Sequence, residues 1–288
     1  MAVTYVVGGL NIIAINEIAP DMLNKLAEAM RLARKAVQDA VEGTVVALHV
    51  VSNALRTGLD LGEAISLLHP EFARHLTVHF RLSTSTEILQ ALEALNRNLQ
   101  RLVVGMRSAD LRLAEYGYNW MAPKGSGVIA YVKMPLSYAF SGGPAVNGCL
   151  NKDPGKFNNP ADVNIRFDRL RDTATGDLVN TLIHECTHKY LATADLLVSG
   201  LPFKSVAEYE STWRAIGVDA PMGRLADLTP VQAINDAYVL TNYVLYLPLV
   251  DLRASAAQME LTIRSANQSI GAVNSNRRVF DSIGNDDL

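Results

Sequence analysis

The five residues from His184 to His188 carry the clearest chemical signal in the chain. They read His-Glu-Cys-Thr-His inside an apolar run, which predicts a helix that begins near Thr175. Residues four positions apart share one face of a helix, so the two imidazoles can bind a single metal ion. Glu185, the next residue, can then reach a water molecule at that metal. This pattern is typical of zinc-dependent hydrolases, in which the glutamate is the general base.

A catalytic zinc site usually takes a third ligand from the protein. Asp195 is the first candidate, because it follows His188 by seven residues. Its carboxylate can return to the metal if the helix ends near Ala192. The alternatives are Glu208, Glu210 and Asp236.

Three motifs, in their order along the chain, resemble those of the deuterolysin-like (aspzincin) zinc metallopeptidases. In that family the His-Glu-x-x-His helix is followed by a Gly-Thr-x-Asp element and, on a later helix, by an Asn-Ala-Asp-x-Tyr-like segment. This chain has Ala-Thr-Ala-Asp at 192–195 and Ala-Ile-Asn-Asp-Ala-Tyr at 233–238. The resemblance extends over roughly residues 20–249 as a layout, with long helices first and then a strand and the motif helix.

The resemblance implies a role for each matching residue. It makes His184, His188 and Asp195 the Zn²⁺ ligands and Glu185 the general base of an endopeptidase that cleaves a peptide or protein substrate. It also places Asp236 beside the scissile bond, where an acid favours a basic side chain of the substrate.

Two positions depart from the family pattern. The glycine before the threonine is Ala192, and the tyrosine expected three positions after the ligand aspartate is Val198. Tyr190 and Tyr238 are therefore the candidates to stabilise the oxyanion. Two other functions remain open: a zinc-binding but catalytically weak peptidase-like binding protein, which Val198 favours, and a helical interaction protein whose motif is accidental.

The elements that must position the motif are predicted to form a mainly helical α+β fold of the zincin type. Apolar residues at helical spacing predict a helix over Pro20–Glu42 and a shorter one over Pro70–Leu82. A capping box at Thr84–Glu87 predicts the start of another helix, whereas Val45–Leu55 can be helical or extended. Residues 20–115 are thus expected to be a helical scaffold.

From Tyr116 onward the pattern changes. Strands are predicted over Gly125–Met134 and Asp162–Phe167, with a loop over Ser141–Pro160 between them. The strand before the motif is expected at a sheet edge, where a substrate backbone could pair, and the strand at Val128–Met134 is the alternative for aligning an extended peptide. A capping box at Thr229 predicts a last helix that runs to about Leu247. One domain is expected over 1–268, with its catalytic part at 116–250 and a flexible tail at 269–288.

A second histidine pair tests how much the spacing alone means. His75 and His79 are also four positions apart, and His69 lies nearby. No carboxylate follows His75, and the flanking residues Phe72 and Leu76 are apolar. We interpret this pair as partly buried, hydrogen-bonded scaffold histidines rather than metal ligands.

The composition limits the partners and the compartment. The 288 residues carry a net charge of −3, which provides no basic field for nucleic acid. No apolar stretch approaches the roughly 20 residues of a membrane span, and the N-terminus lacks a basic region with a cleavage site. We therefore expect a cytoplasmic protein, or one exported without a cleaved signal peptide. Cys149 and Cys186 can form one bridge or remain free thiols, and the oligomeric state stays open.

Overall fold

The computed structural model describes residues 2–116, 130–132, 160–193, 195 and 229–247. This part of the chain is mainly helical and contains one five-stranded mixed sheet, as expected for the α+β class. The helices are α1 (Pro20–Arg56), α2 (Leu61–Ser66), α3 (Pro70–Phe80), α4 (Ser85–Arg107), α5 (Thr175–Leu191), α6 (Pro230–Ile234) and α7 (Ala237–Leu245). The strands are β1 (Val3–Val7), β2 (Leu10–Ala14), β3 (Arg112–Glu115), β4 (Ala130–Val132) and β5 (Val163–Ile165).

Helix α1 is the central helix of the scaffold and packs against α4 and the motif helix α5. It is continuous over 37 residues, so the ambiguous stretch 45–55 is helical. Its buried side chains, among them Leu26, Met30, Val37 and Val51, recur at helical spacing along one stripe. That stripe packs against α4 and α5, and α1 thereby supports the motif helix from behind.

The capping box predicted at Thr84 is confirmed as the start of α4. The Thr84 hydroxyl accepts a hydrogen bond from the Glu87 backbone N–H at 3.1 Å, and the Glu87 carboxylate accepts one from the Thr84 N–H at 3.0 Å. Helix α3 lies where the short helix at Pro70 was predicted. Helix α2, which the sequence analysis did not predict, has a similar capping box at Asp60.

The sheet combines residues from distant parts of the chain. Its order is β1-β2-β3-β5-β4, with β2, β3 and β5 parallel and the two outer strands antiparallel to their neighbours. The β1–β2 hairpin turns at Gly8 and Gly9, which both have positive φ. Neither this hairpin nor β3 was predicted. The helical scaffold therefore ends at Arg107, and the chain re-enters the sheet before residue 115.

The edge position expected for the strand before the motif is wrong. Strand β5, which occupies the centre of the predicted Asp162–Phe167 segment, pairs with β3 on one side and with β4 on the other. Among the described strands it is β4, within the predicted Gly125–Met134 segment, that lies at this edge of the sheet. Strand order depends on long-range pairing, which local alternation of polar and apolar residues does not reveal.

The single helix predicted from Thr229 to Leu247 is instead two helices. The Thr229 capping box is present, but α6 ends at Ile234 and Asp236 adopts an extended backbone. The Asp236 carboxylate accepts a hydrogen bond from the Val239 N–H at 2.8 Å, so it caps α7 as a separate helix. None of the helices described combines the length and the apolar character that crossing a bilayer requires.

Several sequence-based expectations fall outside the described residues. They concern Cys149, Val198, Glu208, Glu210 and the tail at 269–288.

Candidate metal centre

Helix α5 carries the motif and is buried on several sides. It begins at Thr175, as predicted, and packs against α1, α4 and α7 as well as against β4 and β5. All five residues from His184 to His188 are buried, although four of them have polar side chains. Buried polar groups are costly unless they find partners, so this helix segment must be surrounded by matched groups.

A left-handed residue ends the helix and reverses the chain. Ala192 has φ 55° and ψ 35°, a conformation that costs a residue with a Cβ about 1 kcal/mol or more. The reversal occurs at the predicted position. It brings Thr193 and Asp195 back along the face of the helix on which the two histidines lie.

Three side-chain atoms converge on one point. The Nε2 atoms of His184 and His188 are 3.1 Å apart. Asp195 Oδ1 lies 3.1 Å from the first and 3.3 Å from the second. Zinc bonds of about 2.0–2.2 Å at tetrahedral angles separate the donor atoms by roughly 3.3–3.5 Å. The observed separations of 3.1–3.3 Å are close to these values, so the three side chains could together hold one metal ion.

Among the candidates for the third ligand, the structure brings Asp195 to the histidines. Within the described part of the chain, these three residues form the group with metal-ligating geometry. Asp236 is not a member of this group and is fully buried in its capping position. Its carboxylate therefore has a structural task at the start of α7, whereas a role in binding the substrate stays a prediction.

The electrostatics of the cluster suit a cation. Burial alone would lower the pKa of His188, but the Asp195 and Glu185 carboxylates outweigh it and raise the pKa to about 10. Burial acts in the opposite direction on Asp195, and the two imidazoles overcome it and hold the pKa of Asp195 far below its usual range. The buried Asp195 carboxylate is thus held in its charged form, which is the form that can bind a divalent cation.

Glu185 lies beside this cluster, and one of its carboxylate oxygens has no hydrogen-bond partner among the described residues. Burial raises the pKa of Glu185, while the imidazoles of His184 and His188 oppose this effect. The backbone N–H of Val132 in β4 donates a hydrogen bond to the carboxylate. The Oε2 atom of Glu185 is buried and has no hydrogen-bond partner among the described residues. An orphaned carboxylate oxygen next to three convergent ligands is suited to hold a water molecule.

The two candidate tyrosines lie on different sides of α5. The ring of Tyr238, in α7, stacks on the ring of His184 with centroids 4.3 Å apart. Burial raises the pKa of Tyr238, and the nearby carboxylates of Asp195, Glu185 and Asp236 raise it further.

Tyr190 instead belongs to the packing between α5 and α4. Its ring lies so close to Gly105 that a Cβ on that glycine would approach it to 2.4 Å. Its carbonyl accepts a hydrogen bond from Arg101 at 2.7 Å. Burial raises the pKa of Tyr190. Cys186 and Asp110 raise that pKa further, whereas Arg34 lowers it. Tyr190 thus packs against α4, and a role at the oxyanion stays a prediction for Tyr190 and for Tyr238 alike.

Cys186, between the two histidines, points into the helical core. It is a free thiol, fully buried, and burial raises its pKa to about 12. Its environment makes it an unreactive core residue.

Sequence reasoning missed the neighbours that orient the site. Thr187 and Thr193 share a hydrogen bond at 2.7 Å between their hydroxyl oxygens, and His188 Nδ1 lies 2.8 Å from the Thr193 carbonyl. Val132 in β4 is the third such neighbour. The sequence pattern that could have indicated the threonines is their position. Thr187 directly precedes His188, and Thr193 lies two residues before Asp195.

Comparison of the chain with protein-family models, with curated proteins and with solved structures finds no significant match in any of the three.

Proposed function

We propose that this chain is a zinc-dependent metallo-endopeptidase of the aspzincin, zincin-like type. The observation that carries the proposal is the convergence of His184, His188 and Asp195 within 3.3 Å of one another, beside the orphaned carboxylate oxygen of Glu185. Two imidazoles and a carboxylate form a donor set that zinc takes in catalytic sites. The three motifs that resemble the aspzincins support the same conclusion.

Each part of the site has a task in peptide hydrolysis. When bound, zinc would lower the pKa of water and polarise the scissile carbonyl. Glu185 takes a proton from the attacking water and later passes it to the leaving amine. Tyr238, whose ring lies against that of His184, would donate its hydroxyl hydrogen bond to the oxyanion in place of the tyrosine that the family carries at position 198.

Strand β4 offers a place for an extended substrate. It is the edge of the described sheet next to α5, and its Val132 N–H already contacts Glu185. A peptide that pairs with this edge would run past the general base. We therefore propose that the substrate is an extended stretch of peptide or protein.

A second function has one observation in its favour. Val198 stands where the family has its tyrosine, which suits a zinc-binding peptidase-like protein with weak or no turnover. Such a protein would bind zinc like an enzyme but would cleave no peptide.

Glu185→Gln tests the enzymatic proposal. The amide keeps the shape of the side chain but cannot take a proton, so zinc content should stay at the parent level while cleavage of a mixed peptide library falls by about 10²–10⁴-fold. Mass spectrometry of the products measures the rate. A variant that cleaves as fast as the parent contradicts the mechanism, and a parent that binds zinc without cleaving any peptide favours the binding protein.

A further inference from the structure

Two buried threonines connect the motif helix to the segment that returns Asp195. Thr187 is in the last turns of α5 and Thr193 follows the left-handed residue, and their side-chain oxygens are 2.7 Å apart. Neither residue is more than 4% exposed. We refer to Thr187 and Thr193 as the hydroxyl bridge.

The donors and acceptors of the hydroxyl bridge can be assigned one by one. The His184 carbonyl only accepts, so the Thr187 hydroxyl, 2.7 Å away, donates to it. Because that hydroxyl has a single proton, the Thr193 hydroxyl donates to Thr187. The remaining donor is the Nδ1–H of His188, which bonds to the Thr193 carbonyl at 2.8 Å, with the Thr193 hydroxyl oxygen at 3.3 Å.

These hydrogen bonds determine which nitrogen of His188 faces the metal. With Nδ1 protonated and bonded to Thr193, the lone pair of the neutral ring is on Nε2, the atom 3.3 Å from Asp195 Oδ1. The same bonds hold the return segment against the helix, so that Asp195, two residues after Thr193, arrives at the ligand point. The hydroxyl bridge therefore holds Thr193 in place, and Thr193 in turn orients His188 through its carbonyl and places Asp195.

We propose that the hydroxyl bridge positions the metal centre, with Thr193 orienting His188 and Asp195, and Thr187 anchoring Thr193 to helix α5. The inference rests on the proposed metal site and extends it to two residues that touch neither metal nor substrate. Outer partners of this kind are commonly worth 10–100-fold in metal affinity.

Valine variants remove the hydroxyls and keep the side-chain shape. We expect Thr193→Val to weaken the binding of Zn²⁺ to the full chain by about 10–100-fold, measured by competition with a chromophoric chelator. Thr187→Val should cause a similar loss. The double variant should lose about as much as one single variant, because either change breaks the same bridge. Thr193→Ser keeps the hydroxyl and should bind within about threefold of the parent.

Thr44 provides a matched control. It is fully buried in α1, and its hydroxyl donates to the Ala40 carbonyl at 2.8 Å, so Thr44→Val removes a comparable bond from the scaffold. We expect it to lower the melting temperature of the metal-free chain as Thr187→Val does, and to leave the affinity for Zn²⁺ within about twofold of the parent. A purely structural role of the hydroxyl bridge would affect the control and the bridge variants alike.

The outcomes separate this inference from the proposed function. If the parent binds Zn²⁺ and Thr193→Val binds it as tightly, the inference is wrong and the metal site stands. If the parent binds no Zn²⁺, both are wrong. If the parent binds Zn²⁺ without cleaving peptide and the bridge variants lose affinity, the inference stands and the enzymatic proposal is overturned. Should Thr193→Val fail to fold, Thr193→Ala replaces it, and affinity equal to that of Thr193→Ser contradicts the inference.

Discussion

Helices α3 and α5 each carry two histidines four positions apart, and the pairs differ in what their nitrogens contact. On α3, His75 Nε2 lies 2.9 Å from the Tyr243 carbonyl and His79 Nδ1 lies 2.9 Å from the His75 carbonyl. On α5, the two Nε2 atoms are 3.1 Å apart and face the same carboxylate oxygen. Backbone carbonyls thus bond a nitrogen of each histidine in the first pair. In the second pair His188 Nδ1 also bonds a carbonyl, that of Thr193, but both Nε2 atoms face a common point.

The two histidine pairs share two features of their surroundings, a left-handed helix end and a tyrosine from α7. Both helices end in a non-glycine residue with φ 55°, Arg81 after α3 and Ala192 after α5. Helix α7 supplies a tyrosine to each pair, Tyr243 against His75 and Tyr238 against His184. What differs is the chain after the turn, because only the segment after α5 brings back a carboxylate among the described residues. Histidine spacing on a helix is therefore necessary for this site but does not create it.

Substitution of the two α7 tyrosines should distinguish the histidine pairs by the largest difference in kcat. Tyr238→Phe should lower kcat for peptide cleavage by about 10²-fold, with little change in KM or in zinc content, because it removes a donor to the oxyanion. Tyr243→Phe is the matched change at the other pair and should leave kcat within about twofold of the parent. Steady-state kinetics on one peptide tests both. Equal effects of the two variants would remove Tyr238 from the mechanism.

The charge state of the α3 pair predicts how its contribution to stability changes in acid. Burial lowers the pKa of both His75 and His79, so the folded state holds them neutral more firmly than the unfolded state does. Their contribution to stability is therefore present above the unfolded pKa of about 6.5 and is lost as the pH falls through the lowered folded value.

A double variant, His75→Gln with His79→Gln, measures this contribution. Its free energy of unfolding in urea should fall less between about pH 7.5 and pH 5 than that of the parent, since the glutamines do not titrate. The metal centre is the same in both proteins and cancels in the difference. A parent and a variant with parallel pH profiles would show that the α3 pair carries no such contribution.

The two left-handed helix ends should respond alike, and this is the smallest expected effect. Ala192→Gly and Arg81→Gly each relieve a positive φ, so each should raise the free energy of unfolding by about 0.5–1 kcal/mol. Urea denaturation of the metal-free chains measures the change. Similar gains in the free energy of unfolding would mean that the two helix ends are equivalent. The histidine pairs would then differ because of the residues that follow Ala192, namely Thr193 and Asp195. Destabilisation by Ala192→Gly alone would mean that the methyl group of Ala192 has a specific role.

Local signals predicted the parts of the site that are close together in sequence. The start of α5 at Thr175, its end near Ala192 and the return of Asp195 follow from apolar spacing and from a motif spanning 12 residues, 184–195. The capping boxes at Thr84 and Thr229 were also visible, because their bonds join residues three positions apart.

Features that depend on distant residues could not be predicted in this way. Strand β3 exists because Leu113 pairs with Ile12 on one side and with Val163 on the other. Tyr190 and Tyr238 both lie in apolar helical segments, and only packing shows that one meets Gly105 and the other meets His184. The interruption at Asp236 was missed because the surrounding apolar pattern continues through it.

Titration of Zn²⁺ into the metal-free chain, by calorimetry, determines whether α5 carries the metal centre. We expect one ion bound per parent chain, loss of that ion in His188→Ala, and its retention with unchanged affinity in His79→Ala. Circular dichroism of the three proteins confirms that each is folded. Binding of Zn²⁺ by His188→Ala as tight as that of the parent, or its loss in His79→Ala alone, would contradict the assignment of the metal centre to α5.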